Sequence, residues 1–169
     1  MSKEFIINLI SENASQDSRV LDIGSGGGQI AIEVALRVGC TVYGVDSSRF
    51  AVRRAKNAAR AKGISRKVVF KNQQAEDLDL PSCYFDLVYS VKTLHETRAD
   101  KAMREIHRVL REGGKLIIVE WVKGSMRWAF ESYFSQQDLE AMTKEAGFKL
   151  TTSDVIGNTL LTQATKNKI

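Results

Sequence analysis

The stretch Val20-Leu21-Asp22-Ile23-Gly24-Ser25-Gly26-Gly27-Gly28 constrains this chain more than any other. Val20 to Ile23 reads as a short buried strand. It breaks at Gly24 into a glycine loop, and a helix over Gln29 to Val38 follows. Backbone without a Cβ can turn sharply and lets a ligand lie against it. The helix start presents free N–H groups and a positive dipole end to whatever sits there. Asp22 stands just ahead of the turn. Together these features build a cradle for a small molecule, and the question is which one.

The rest of the chain alternates. Phe5, Ile6, Leu9 and Ile10 fall at helical spacing and predict a short leading helix, with a polar loop over Ser11 to Ser18. The helix from Gln29 carries Ile30, Val34 and Val38 on one side, and Gly39 stops it. Thr41 to Val45 predicts a second strand ending at Asp46. A helix over Ser48 to Lys62 buries Val52, Ala55 and Ala59. Lys67 to Asn72 and Phe85 to Val91 read as strands, separated by the loop that holds the only proline, Pro81. Ala99 to Arg111 is a helix closed by Gly113-Gly114, and Lys115 to Trp121 a fifth strand. Ser135 to Asp138 has the form of a capping box and opens a helix that stops at Gly147. Strands over Lys149 to Ile156 and Thr159 to Thr165 flank Gly157-Asn158, a hairpin signal. Strands that alternate with helices need parallel crossovers. The expected architecture is a single α/β unit, a helix-flanked sheet that is parallel until a closing antiparallel hairpin.

A glycine loop after the first strand suggests nucleotide binding, and its fingerprint decides between ligands. Dinucleotide binding calls for G-x-G-x-x-G. Counted from Gly24, the third position is Gln29, so that pattern fails. The pattern present is D-x-G-x-G-x-G, on Asp22, Gly24, Gly26 and Gly28. Asp46 ends the second strand, about 20 residues further on, where a carboxylate can accept both hydroxyls of an adenosine ribose.

At these residues the sequence resembles the class I S-adenosylmethionine-dependent methyltransferases, and within them the small-molecule and quinone-type branch called methyltransferase type 11. The resemblance extends through Gln74-Ala75-Glu76-Asp77-Leu78, through Tyr84 to Ser90 and on to Leu94-His95-Glu96. It continues through Glu105 to Leu110 and Gly113-Gly114-Lys115-Leu116. The family implies a Rossmann-like, doubly wound sheet of seven strands with the last one antiparallel. It implies that the backbone of Gly24, Ser25, Gly26 and Gly28 packs against the methionine part of the cofactor, with Asp22 near its ammonium group. Asp46 would hold the ribose, with Ser47 beside it. Gln74 and Ala75 would meet the adenine, and Ser90 would lie beside the methionine portion. Where the family often has aspartate this chain has Gln74, whose amide oxygen also accepts a hydrogen bond, and Glu76 or Asp77 could take over.

A methyl group on a positive sulfur is already activated, so transfer rests on positioning and on exclusion of water. An acceptor hydroxyl, thiol or acidic carbon gains from a general base. His95 follows the fourth strand on the cofactor side of the sheet and is the candidate base; the alternative is that it lines the pocket or ties down a loop. His107 sits late in a helix and reads as a surface residue favoured by the helix dipole. Trp121, Trp128, Phe130, Tyr133 and Phe134 belong to a segment where the family places acceptor-binding elements. Of these, Trp121, Trp128 and Tyr133 are the candidate acceptor contacts, and the alternative is that the rings cap the core. Lys123, Arg127 and Glu131 are interspersed, which suits a small amphipathic acceptor.

The longest aliphatic run, Leu116 to Val119, is far short of the ~20 residues of a membrane span. Met1 to Ile10 lacks a cleavage-site pattern, and Cys40 and Cys83 have no metal-type spacing, so a reducing cytoplasmic setting is expected. The net charge of +5 permits an anionic partner without requiring one. From Arg49 to Lys67 the chain holds eight basic residues and no acidic one. That run reads as a solvated helix face or, alternatively, as an RNA-binding surface. Against RNA base methylation, Ser90-Val91-Lys92-Thr93 stands where families acting on exocyclic amines carry an Asn-Pro-Pro-type motif. Two rivals remain: an RNA or protein methyltransferase, and a sensor or subunit that binds S-adenosylmethionine without turnover.

Overall fold

The computed structural model describes residues 1–124 and 133–167. Its elements run α1 (Lys3–Glu12), β1 (Arg19–Ile23), α2 (Gln29–Val38), β2 (Thr41–Asp46), α3 (Arg49–Ala61), β3 (Val68–Asn72) and β4 (Phe85–Val91). A short 3-10 turn over Leu94–Glu96 follows, then α4 (Ala99–Val109), β5 (Leu110–Trp121), α5 (Gln136–Glu145), β6 (Phe148–Ile156) and β7 (Thr159–Lys166). The strands form one seven-stranded sheet in the order β3-β2-β1-β4-β5-β7-β6. β1 to β5 are parallel, and β7 is antiparallel to both β5 and β6. The doubly wound α/β sheet with its closing hairpin is therefore as the sequence implies.

Alternation along the strands sorts side chains onto two faces. Val20, Val42, Phe70, Leu87 and Tyr89 pack beneath α1, α2 and α3. Leu21, Ile23, Val88, Leu116 and Ile118 pack against Met103 and Ile106 of α4 and Leu139 of α5. Each such side chain, fully buried, contributes about 1.5–3 kcal/mol. Ser135 and Asp138 make the reciprocal bonds of a capping box at the start of α5, and Gly157-Asn158 links Ile156 to its cross-strand partner Thr159.

Two local readings change. α4 ends at Val109, not Arg111, because the carbonyls at its end find partners outside the helix. Arg108 O and Val109 O accept from the Cys83 and Tyr84 N–H groups at 2.9 and 2.8 Å, and Leu110 pairs with Phe85 in the sheet. The buried Lys166 reaches back from β7, its Nζ donating to His107 O at 2.7 Å and Leu110 O at 2.8 Å. His107 is half-buried, not a plain surface residue. Its ring meets Phe148 edge-on at 5.0 Å. Burial, with the nearby Lys166 charge, holds its imidazole below the ordinary value, opposite to the helix-dipole expectation.

The strand order reverses direction between β1 and β4. In open α/β sheets the crevice for a ligand lies beyond the carboxyl ends of the strands at that point. Gly24 follows β1 and Thr93 follows β4, and the two meet there: a Cβ built on Gly24 would lie 2.1 Å from Thr93 Oγ1.

Candidate functional site

A cleft of about 480 Å³ opens at this switch point. Gly24, Val45, Asp46, Ser47, Gln73, Gln74, Ala75 and Glu76 form one wall, and Val91, Lys92, Thr93, Glu96 and Thr97 the other. Of the residues expected to contact a cofactor, Gly24, Asp46, Ser47, Gln74, Ala75 and Glu76 line it. A second hollow, bordered by Ser47, Asn72, Gln73, Gln74 and Asp77, shares residues with the first.

Four of the five N–H groups from Gly24 to Gly28 are spent inside the protein. Gly24 N–H and Ser25 N–H both donate to Val45 O at 2.9 Å. Gly26 N–H donates to Asp46 Oδ2 at 2.8 Å, and Gly28 N–H to Ser25 O at 2.8 Å. A loop that cradles phosphates needs those groups free. This one offers a ligand its close backbone approach and the acids around it, and not a nest of donors. Gly28 takes no part in the cleft wall: a Cβ there would lie 2.6 Å from Phe70 and 2.9 Å from Ala55. Its left-handed backbone, φ +78°, starts α2 without any side-chain cap.

Asp46 ties three elements together at the end of β2. Its Oδ2 accepts from the loop, its Oδ1 accepts from Ser48 N–H at 2.8 Å, and its carbonyl accepts from Asn72 Nδ2 at 2.8 Å and Gln73 N–H at 3.1 Å. Each carboxylate oxygen keeps a further lone pair for hydroxyls in the cleft.

Asp22 lies below the loop, flanked in register by Gly44 and Tyr89, and is only 3% exposed. Burial pushes its carboxyl up to about 7, opposed by the Tyr89 hydroxyl and reinforced by the Asp46 charge. The Tyr89 hydroxyl faces it without reaching hydrogen-bonding geometry, and Ser25 Oγ is unpartnered as well. Burial with the adjacent acid drives the Tyr89 phenol above its ordinary range. Ser90 is fully buried, its Oγ unpartnered. It pairs with Ile23 and Ile118 in the sheet, outside the cleft wall. Glu76 is in the wall, but its Oε1 accepts from Arg98 N–H at 2.8 Å and anchors the start of α4.

On the β4–β5 side the sequence reading missed a residue. Glu120, at the end of β5, is fully buried. Its Oε1 accepts from Thr93 N–H at 2.8 Å and Leu94 N–H at 2.7 Å, and its Oε2 lies 2.7 Å from His95 Nδ1. A carboxylate at the tail of the apolar run Leu116 to Val119 was the available signal. An ionised carboxylate only accepts, so Nδ1 carries the hydrogen and Nε2 is the atom left for proton transfer. His95 is 10% exposed at its side chain, with Nε2 3.7 Å from Glu96 Oε1. The Tyr133 ring packs edge-on against His95 at 4.9 Å. Trp121 lies under Lys92, whose Nζ is 3.4 Å from the indole centroid. His95, Tyr133 and Trp121 are thus gathered near one strand end, while Trp128 and Phe130 fall outside the described residues.

Carboxylates such as Asp22 and Asp46 can accept from an ammonium and a diol, both of which S-adenosylmethionine carries, and among the described residues the glycine loop gathers no phosphate nest. Residues 14–168 match the family model described as a methyltransferase domain. The sterol 24-C-methyltransferase of Eremothecium gossypii is 34% identical over 61% of this chain and 28% of its own length. The ubiquinone/menaquinone biosynthesis C-methyltransferase UbiE of Rhizobium meliloti is 26% identical over 86% of this chain and 70% of its own. The chain thus spans less than a third of the sterol enzymes it matches. Among solved structures, the [4+2]-cyclase SpnF superposes with a TM-score of 0.89 at 23% identity, over 97% of this chain and 81% of that one. A geranyl diphosphate methyltransferase in complex with SAM gives 0.85 at 16%, over 97% and 84%. The family match runs through the loop, the acid-lined cleft and the closing hairpin, and this chain belongs to the methyltransferase domain family.

Proposed function

We propose that this chain is a methyltransferase domain that transfers a methyl group from S-adenosylmethionine to a small-molecule acceptor. The observation that carries this reading is the glycine loop whose Gly24, Ser25 and Gly26 N–H groups are spent on Val45 O and Asp46, set among carboxylates in the switch-point cleft. S-adenosylmethionine, when bound, supplies a methyl group already activated on a cationic sulfur. Asp46 and Ser47 hold the ribose hydroxyls. Asp22 balances the ammonium from below the loop. Gln74 and Ala75 meet the adenine, the amide oxygen standing in for the family's frequent aspartate. The acceptor sits on the β4–β5 side, between Trp121 and Tyr133, and His95 Nε2 takes a proton from it. Glu120 holds the ring in the tautomer this needs.

The names of the relatives support a small acceptor: sterol, quinone and 27-O-demethylrifamycin methyltransferases are among them. Among the described residues no helix is long and apolar enough to cross a membrane. Cys40 and Cys83 are unpaired thiols, which suits the cytoplasm. Calorimetry with S-adenosylmethionine and S-adenosylhomocysteine, followed by mass spectrometry for methylated product across a small-molecule panel, tests the reading. Absence of donor binding sinks it. Tight binding with no product from any acceptor favours a sensor instead. A salt-sensitive RNA complex lost on Arg53→Glu with Arg60→Glu favours the RNA rival.

A further inference from the structure

Lys92 occupies a position whose backbone suits glycine. Its φ is +55°, a left-handed conformation that strains a residue with a Cβ. The turn has its own structural purpose. Lys92 N–H donates to Val119 O at 2.7 Å, and the next two N–H groups reach Glu120. Glycine would make that turn without strain, so the turn does not explain the side chain.

The side chain is placed specifically. Nζ stands on the indole face of Trp121, 3.4 Å from its centroid, and Lys92 lines the same cleft as Gly24 and Asp46. Partial burial lowers its ammonium from the ordinary value, and the Glu120 charge opposes that. Among the described residues the ammonium makes no hydrogen bond and no ion pair. The two acids near it do not consume it. Glu120 already accepts from Thr93, Leu94 and His95, and the Glu96 side chain is 75% exposed, turned to solvent. A half-buried cation held on an aromatic face, with its N–H donors unused, is a receptor for an oxyanion.

We propose that Lys92, seated on Trp121, selects a methyl acceptor that carries an oxyanion, a carboxylate or a phosphate, and holds that group on the β4–β5 side of the cleft. This rests on the methyl-transfer reading above. The indole gives the acceptor's body an apolar contact, and the ammonium fixes its charged end.

The test uses the full chain. Benzoate, phenyl phosphate and benzamide are titrated by calorimetry, with and without S-adenosylhomocysteine. One of the two anions should bind at least about tenfold tighter than benzamide, and which one does distinguishes carboxylate from phosphate. Lys92→Arg should keep the preference. Lys92→Gly should abolish it while the melting temperature holds or rises, because glycine suits the turn; Lys92→Met gives the same readout if the glycine variant folds poorly. Equal binding of all three probes, or a preference that survives in both Lys92→Gly and Lys92→Met, overturns the proposal. Failure of the wild-type chain to bind S-adenosylhomocysteine overturns the methyl-transfer reading instead, since the oxyanion preference is also read without it.

Discussion

Glu120 Oε2 lies 2.7 Å from His95 Nδ1, while Oε1 of the same carboxylate takes the N–H groups of Thr93 and Leu94. One buried acid therefore fixes both the turn after β4 and the ring that follows it. Glutamine at this position keeps the volume and an acceptor for the two amides. It turns an NH2 group toward the imidazole, which makes Nδ1 the acceptor and puts the hydrogen on Nε2. Glu120→Gln should lower kcat by roughly 10²–10⁴-fold, the usual worth of a general base. Donor affinity by calorimetry should stay close to wild type, because Glu120 does not line the cleft. A kcat close to wild type would remove His95 from the proton transfer.

Asp46→Ala removes the acceptor for Gly26 N–H and Ser48 N–H together with the proposed ribose contact. S-adenosylmethionine affinity should fall by more than about tenfold, since both hydroxyls would be left without their partner. The loop should also loosen, at about 1–3 kcal/mol of folding stability for the unsatisfied donors. Calorimetry and urea unfolding separate the two effects. Unchanged donor affinity in a destabilised variant would confine Asp46 to holding the loop.

Gly24 and Gly26 are both left-handed, with φ of +75° and +53°, yet they should respond differently to alanine. At Gly24 the new methyl would lie 2.1 Å from Thr93 Oγ1, so the β1–β4 junction has to open. At Gly26 it meets nothing within 4 Å. Gly26→Ala should cost only the backbone strain, about 1–2 kcal/mol, and Gly24→Ala clearly more. Equal costs in urea unfolding would mean that the turn carrying Thr93 yields easily.

The fold was legible because its signals are local: the loop Gly24 to Gly28, the Ser135–Asp138 capping box and the Gly157-Asn158 turn each name their own structure. Asp46 was legible for the same reason, as a carboxylate at a strand end a fixed distance from the loop. Glu120 was not, because its meaning comes from Thr93, Leu94 and His95, more than twenty residues earlier and joined to it only through the pairing of β4 with β5. The spent N–H groups of the loop were equally hidden. Glycine spacing says that donors exist, and only the β1–β2 register shows that Val45 O and Asp46 take them. The end of α4 moved for a similar reason: Cys83, Tyr84 and Lys166 compete for its last carbonyls.

Asp22 makes the site sensitive to pH, and the sign follows from its burial. Its folded value of about 7 lies above the ordinary 3.8, so between those pH values the folded chain keeps a proton that the unfolded chain has released. Stability from this group is fully present below about pH 4 and is lost as pH rises through 7, a swing of up to about 4 kcal/mol at ~1.4 kcal/mol per pH unit. Asp22→Asn, neutral at every pH, should therefore look more stable relative to wild type at pH 8 than at pH 5 in urea unfolding. Donor binding should run the other way. The carboxylate that balances an ammonium is the ionised form, so S-adenosylmethionine affinity should weaken as pH falls from 8 to 6 in the wild type. Asp22→Asn should bind more weakly at pH 8 and show a flatter profile. A wild-type affinity that is constant over that range, with a constant stability difference between the two proteins, would show that Asp22 does not titrate there and that its charge takes no part in holding the donor.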